Sequence, residues 1–318
     1  MREARALGAG GFRIGANLPW ARYGGDFGAS AWQPAGGLAA NADEASRVAR
    51  TLGDLRSAGV TWVRWFLLCD GRAGVRYDVD GCPRALDDAF WADVNRGLTL
   101  ADEAGVDVLF SLFDFHWCRP RHVVRGVACG GRTATIRDAR MRAALMAHVV
   151  EPIARTVGSH PRVAAWEVMN EPEWATLGLG GWRPDTCVRT RTMCAFLAAV
   201  VATFRRHTAT PLTVGSASAR WLRLVRGLDL DFYQVHWYDR FERHAPLGRP
   251  VHAWGLDRPV VLGEYPTRGS RRDVEGILSR ARDAGYAGAL YWSALADDAA
   301  SDPGYAVDAL RDWMSRHA

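Results

Sequence analysis

The sequence predicts an α/β fold: a closed (β/α)8 barrel forming one domain over residues 1–318. Three observations carry this. Eight apolar runs of strand length recur along the chain, amphipathic stretches of helical period separate them, and no low-complexity tract or linker divides the whole. Strands alternating with helices make parallel βαβ units, and eight such units covered on both faces close into a barrel. A doubly wound open sheet is the alternative. Its glycine-rich turn after the first strand is missing, since Gly15-Ala16-Asn17-Leu18 lacks the spacing.

The predicted strands are "FRIGANL" (12–18), "TWVRWFLL" (61–68), "DVLFSLFD" (107–114) and "VAAWEVMN" (163–170). Then come "PLTVGSA" (211–217), "DFYQVHWY" (231–238), "PVVLGEY" (259–265) and "GALYWSA" (288–294). Helical patterns fall near 43–58, 86–104, 138–157, 187–207, 217–226, 270–284 and 304–316, with 245–257 a weak candidate. "RSAGVTWVRW" and "DEAGVDVLF" repeat one device, a helix ending near a glycine with the next strand beginning at once. Ser270 with Asp273 three residues on predicts a helix start, and Gly285 its end. The long segment 23–40, with Phe27 and Trp32, reads as an ordered loop rather than a tether.

Composition is that of an ordinary globular chain, 48% hydrophobic and 24% charged. All 40 basic residues are arginine, and the net charge is +5. Arginine reads phosphates and carboxylates in bidentate fashion, but here it is scattered among 35 acidic residues with no basic stripe. Nucleic acid is therefore not an expected partner. No stretch approaches a membrane span, so no membrane partner is expected either. The N-terminus "MREARALGAGGFRIGANLPW" has no apolar core of signal-peptide length, which predicts a cytoplasmic protein unless an export signal has been trimmed. Cys187 and Cys194 stand seven helical residues apart, about 10 Å, too far to bridge. Cys69, Cys82, Cys118 and Cys129 near one end of the fold leave one or two disulfides open, with buried thiols favoured.

One stretch raises a chemical question. "AWEVMNEPEW" (165–174) is apolar until Asn170 and Glu171, and Pro172 then forbids the strand to continue. Glu171 is thereby displayed at a strand's carboxyl end, where α/β barrels keep their chemistry. Other runs do the same with Arg64, His116, His236, Tyr238, Glu264 and Trp292. Each has a bland explanation, such as a buried ion pair for Arg64 or packing for His236 and Trp292. Eight such residues gathered at one rim call for a common cause, because polar groups in a packed barrel must satisfy one another or serve chemistry. Two glutamates facing each other suit double displacement at a sugar, in which one carboxylate attacks and the other moves protons. A guanidinium and a phenol would keep one ionised while its partner holds its proton.

In this order the set resembles glycoside hydrolase family 5, the cellulase-like retaining (β/α)8 glycosidases. The matching residues are Arg64, His116 in "LFDFH", Asn170-Glu171 in "VMNEP", His236 and Tyr238 in "VHWY", Glu264 in "LGEY" and Trp292 in "LYWS". The resemblance implies Glu264 as nucleophile with Arg64 and Tyr238 beside it, and Glu171 as acid/base. It implies that Asn170 holds the sugar 2-hydroxyl, that His116 and His236 shape the site, and that Trp292 forms its floor. It implies a carbohydrate substrate and no metal or organic cofactor, and no cluster with metal spacing is evident in the sequence.

Trp20, Trp65, Trp117, Trp174 and Trp237 suit stacking on sugar rings, with Trp174 expected beside the leaving-group sugar. The loop "CRPRHVVRGVACGGR" places Arg119, Arg121, Arg125 and Arg132 where an acidic sugar could be read, or where they are simply solvated. Long first and third loops favour a pocket that trims ends of β-glucoside or β-mannoside glycans, with endo-acting β-mannanase or β-glucanase the alternative. A non-catalytic carbohydrate-binding barrel is the alternative of another class, and it would not need both glutamates.

Overall fold

A computed structural model describes residues 11–317. The first half of the N-terminal stretch weighed for an export signal lies outside the described residues. All eight predicted runs form strands: β1 Arg13–Asn17, β2 Trp62–Phe66, β3 Asp107–Asp114, β4 Val163–Asn170, β5 Leu212–Ser216, β6 Tyr233–His236, β7 Val260–Pro266 and β8 Gly288–Trp292. They pair in parallel in the order β1-β8-β7-β6-β5-β4-β3-β2 and close on β1. The fold is a (β/α)8 barrel in a single domain.

The longer helices are α1 Ala42–Ser57, α2 Asp88–Ala104, α3 over 139–156, α4 Thr190–His207, α5 Val274–Asp283 and α6 Pro303–His317. Asn41 caps α1 by accepting the Glu44 N–H at 3.1 Å, and Asp87 caps α2 by accepting that of Phe90 at 2.7 Å. Gly59 and Gly105 follow α1 and α2 with φ of 87° and 67°, the left-handed turn that lets each helix stop and the next strand start. A π-turn, Met146–Val150, interrupts α3 just before Pro152, which has no N–H to continue the α ladder.

Three details differ from the sequence expectation. Asp273, not Ser270, caps α5, accepting the Gly276 N–H at 2.8 Å. The segments 217–226 and 245–257 contract to 3-10 turns at Ala219–Leu224 and Val251–Trp254, cut short by Gly227 and Gly255 in the left-handed region. Two hairpins decorate the rim, Val75–Tyr77 with Pro83–Leu86 and His122–Val124 with Val127–Cys129. The second turns on Arg125 and Gly126, both with positive φ.

The first loop is ordered, as expected. Phe27 is buried in it, and Asp26 accepts the N–H groups of Ala21 and Arg22, each at 2.7 Å. All six cysteines are free, and five are buried. No helix among the described residues is long and apolar enough to cross a membrane.

Candidate active site

Inward-facing residues fill the barrel in layers. The lowest is apolar, with Trp62, Leu109, Ala165, Phe232, Val261 and Leu290 packed together. Two residues further along the strands the layer becomes polar: Arg64, Ser111, Glu167 and Gln234, all fully buried. Strand parity alone would carry Ala165 and Glu167 to position 169, and Val261 to 263. Register shifts between Glu167 and Asn170, and between Leu262 and Tyr265, instead turn Asn170 and Glu264 inward. Gly263 and Gly215 make room. A Cβ on Gly263 would meet Gln234 Cγ at 2.4 Å, and one on Gly215 would meet Glu167 Cδ at 2.9 Å.

Arg64 organises the layer above. Its Nε and Nη2 donate to Glu167 at 2.6 and 2.7 Å, its Nη1 to Glu264 at 2.7 Å and to Asn17 at 2.9 Å, and its Nη2 also to Asn170 at 2.7 Å. Burial weakens an arginine's hold on its proton, but the two carboxylates outweigh that and raise its pKa. Burial likewise disfavours charge on Glu167, yet Arg64 prevails and holds its pKa below the ordinary value. Two carboxylates against one guanidinium leave a negative excess.

His236 answers it. Its Nδ1 lies 2.8 Å from Glu171 Oε1 and 3.4 Å from Glu264 Oε2. Burial lowers the imidazole pKa, but Glu264 and Glu171 reverse this, and the net shift is upward. Tyr238 donates its hydroxyl to Glu264 Oε2 at 2.9 Å. Burial raises the Glu264 pKa, His236 and Arg64 pull it back, Glu171 pushes it up, and it stays above the usual carboxylate range.

Glu171 sits just beyond β4 with φ of 46°, a left-handed conformation rare for a side-chain-bearing residue. Its other oxygen, Oε2, accepts the Trp174 indole N–H at 2.7 Å. An oxygen of Glu171, an oxygen of Glu264 and a ring nitrogen of His236 all lie within 4.8 Å of one another. That spacing would also suit a cation, a cluster the sequence did not disclose because its members come from three strands.

Of the predicted residues, Arg64, Asn170, Glu171, His236, Tyr238 and Glu264 share this network. His116 stands at its edge, its Nδ1 2.9 Å from the Tyr23 hydroxyl. Trp292 is reached from there through Tyr23 and Trp20, with ring centroids 4.7 Å apart for Trp20–Tyr23 and 5.7 Å for Trp20–Trp292. Its own N–H is held by Asp298 at 2.9 Å.

Three of the tryptophans expected to stack on sugar do not face the site. Trp65, Trp117 and Trp237 are buried, their N–H groups donating to Asp26, Thr135 and Glu242. Trp65 follows the inward Arg64, so strand alternation turns it outward against the first loop and α2. Trp20 and Trp174 remain at the rim, half-buried.

Glu167, Asn17, Gln234 and Tyr23 are site residues that the sequence reading missed. Glu167 and Gln234 carried a signal: each is polar inside an apolar run, and Gln234 shares parity with His236. Glu173 was also missed; it is wholly buried, accepts the Ala217 N–H at 3.1 Å, and burial pushes its carboxyl up to about 7. Beside Glu171 opens a cavity of about 440 Å³, lined among others by Trp174, Trp182, Arg119, Arg183 and Arg240.

No family model matches the chain. It is 24% identical over 323 residues to mannan endo-1,4-beta-mannosidase of Mytilus edulis, spanning 89% of this chain and 83% of that protein. The enzyme of the same name from Cryptopygus antarcticus is 23% identical over 331 residues, spanning 88% and 80%. The crystal structure of the Mytilus edulis beta-mannanase superposes with a TM-score of 0.77 at 21% identity, covering 96% of this chain and 92% of that one. Barrel, ordered residue set and relatives together support the resemblance to the cellulase-like glycoside hydrolases of family 5, and with it a glycoside hydrolase acting on O-glycosyl bonds.

Proposed function

We propose that the chain is a retaining β-glycosidase of β-1,4-linked mannan, with Glu264 the nucleophile and Glu171 the acid/base. The carrying observation is the carboxylate pair at the ends of β4 and β7, whose oxygens come within 4.8 Å. Retaining enzymes hold their two carboxyl groups about 5 to 5.5 Å apart, whereas inverting ones leave room for a water between them.

The surroundings divide the roles. Arg64 and Tyr238 each donate to one oxygen of Glu264, fixing the carboxylate and favouring its charged form, as a nucleophile requires. No guanidinium donates a hydrogen bond to Glu171 among the described residues, and His236 Nδ1 at 2.8 Å can pass it a proton. In the first step Glu264 bonds to the anomeric carbon, the glycosidic bond breaks, and Glu171 gives its proton to the departing oxygen. In the second, Glu171 takes a proton from water, whose oxygen displaces Glu264 from the same carbon.

His236, Asn170 and His116 border the reacting sugar, Trp292 lies beneath it, and Trp174 orients Glu171. No organic cofactor enters this scheme. Both curated relatives are named for internal cleavage of mannan. Endo action on mannan is therefore favoured over the end-trimming pocket that the long loops suggest.

Proton NMR of the first sugar released from mannan oligosaccharides tests the mechanism. The expected first product is the β anomer, and an initial α anomer overturns double displacement. Release of mixed oligosaccharides from mannan, with an early fall in viscosity, is expected; mannose or mannobiose alone would return the reading to chain-end trimming.

A further inference from the structure

The cavity beside Glu171 has an unusual charge. Its lining includes three guanidiniums, Arg119, Arg183 and Arg240, and only one carboxylate, Glu171 itself. Arg183 is occupied by Asp185 at 2.7 Å. Arg119 and Arg240 make no ion pair or side-chain hydrogen bond among the described residues. Aromatic planes hold them instead. Arg119 lies 5.2 Å from the Phe115 ring, and Arg240 lies 4.9, 5.4 and 5.8 Å from Phe241, Tyr238 and Trp174. A ring within about 6 Å attracts a guanidinium while leaving its N–H groups free for a planar or tetrahedral oxyanion. Trp182, 81% exposed at the mouth, adds an apolar face without charge.

We propose that, beyond neutral mannan, this cavity takes a leaving group carrying an anionic oxygen substituent, a carboxylate or a phosphate, close to the scissile bond. The proposal rests on Glu171 being the proton donor, because that places the leaving group on this side. Charge supports the choice. Arg119 and Arg240 are solvent-exposed and have no carboxylate partner among the described residues, and an anionic leaving group supplies one. It also divides the arginines of the third loop. All three of Arg119, Arg121 and Arg125 are exposed, but only Arg119 lines the cavity, while Arg132 lies over Tyr77 at 3.6 Å.

The probes are β-1,4-mannobiosides of 4-carboxyphenol, its neutral methyl ester and 4-phosphonophenol. Binding is measured by calorimetry on Glu264→Ala, which leaves the probes intact, with and without Arg119→Gln/Arg240→Gln. Hydrolysis is measured on the unsubstituted enzyme. We expect at least one anionic probe to bind about tenfold tighter than the ester, the order one charge-assisted hydrogen bond contributes. The preference should narrow as salt is raised and fall to near one in the double variant. Arg121→Gln, an arginine of the same loop outside the cavity, should keep it. The carboxylate and phosphonate arms show which oxyanion is meant. Equal binding of all three probes, or a preference that survives the double variant, overturns the anion site. If the preference is seen but no probe is hydrolysed, the glycosidase assignment falls and the anion site stands.

Discussion

Arg64 grips Glu167 through two parallel hydrogen bonds of 2.6 and 2.7 Å, in a barrel layer from which both side chains are wholly excluded from solvent. Glu167 touches none of the space between Glu171 and Glu264, yet it sets the plane in which Arg64 presents Nη1 to Glu264. Breaking a buried pair from one side costs about 3 to 5 kcal/mol, since the remaining charge loses its partner. Glu264 still faces Arg64, so Glu167→Gln should lose about 3 kcal/mol. Urea unfolding measures it. The folded variant should also lose kcat rather than affinity, because the proposed nucleophile, not the sugar, is misplaced; a change under about 1 kcal/mol with normal kcat would make Glu167 filler.

Tyr238→Phe removes a donor that favours the charged form of Glu264. Without it the Glu264 pKa rises further above its ordinary value. As the proposed nucleophile this carboxylate must be ionised, so the acidic limb of kcat/KM against pH should move to higher pH, and activity at pH 5 should fall more than at pH 7. A profile that only scales down, with an unmoved limb, would show that Tyr238 acts on the sugar instead.

Azide separates the two glutamates. Glu264→Ala cannot form a glycosyl-enzyme, so an activated aryl glycoside with azide should give the α-glycosyl azide if it reacts at all. Glu171→Ala should still accept a good aryl leaving group and should be accelerated by azide, which needs no base, giving the β product. NMR of the adducts decides the assignment. The opposite pairing would mean that the two roles are exchanged.

Glu173 gives stability a pH dependence of its own. Burial raises its carboxyl from 4.5 to about 7, so the folded chain holds this proton more tightly than the unfolded one. Its contribution is fully present below about 4.5 and is lost as pH rises towards 7, amounting to about 3 kcal/mol at higher pH. Glu173→Gln keeps an oxygen for the Ala217 N–H and cannot ionise. It should match the unsubstituted protein near pH 4.5 and be up to about 3 kcal/mol more stable at pH 8. Urea unfolding across that range tests this; a variant less stable at pH 8 would show that the charge is balanced in the folded state.

The sequence by itself determined the barrel and the order of its rim residues. Eight apolar runs alternating with helical patterns admit few topologies, and Pro172 after "VMNE" marks where a strand must end whatever surrounds it. These signals are local, set by backbone geometry and by a hydrophobic period of two or of 3.6. Tertiary structure decided which side chains meet. Trp65 and Trp117 looked as able to stack on sugar as Trp174, but strand parity and packing turn them into the wall. Glu264 enters the site only because a register shift beside Gly263 breaks the parity of β7. Glu167 is the fifth residue of an apolar strand, and nothing in its own neighbourhood says that Arg64, 103 residues away, will neutralise it. The charges of His236 and Glu264 are likewise set across strands, because burial magnifies every cross-strand interaction and closure of the barrel alone brings these groups within reach.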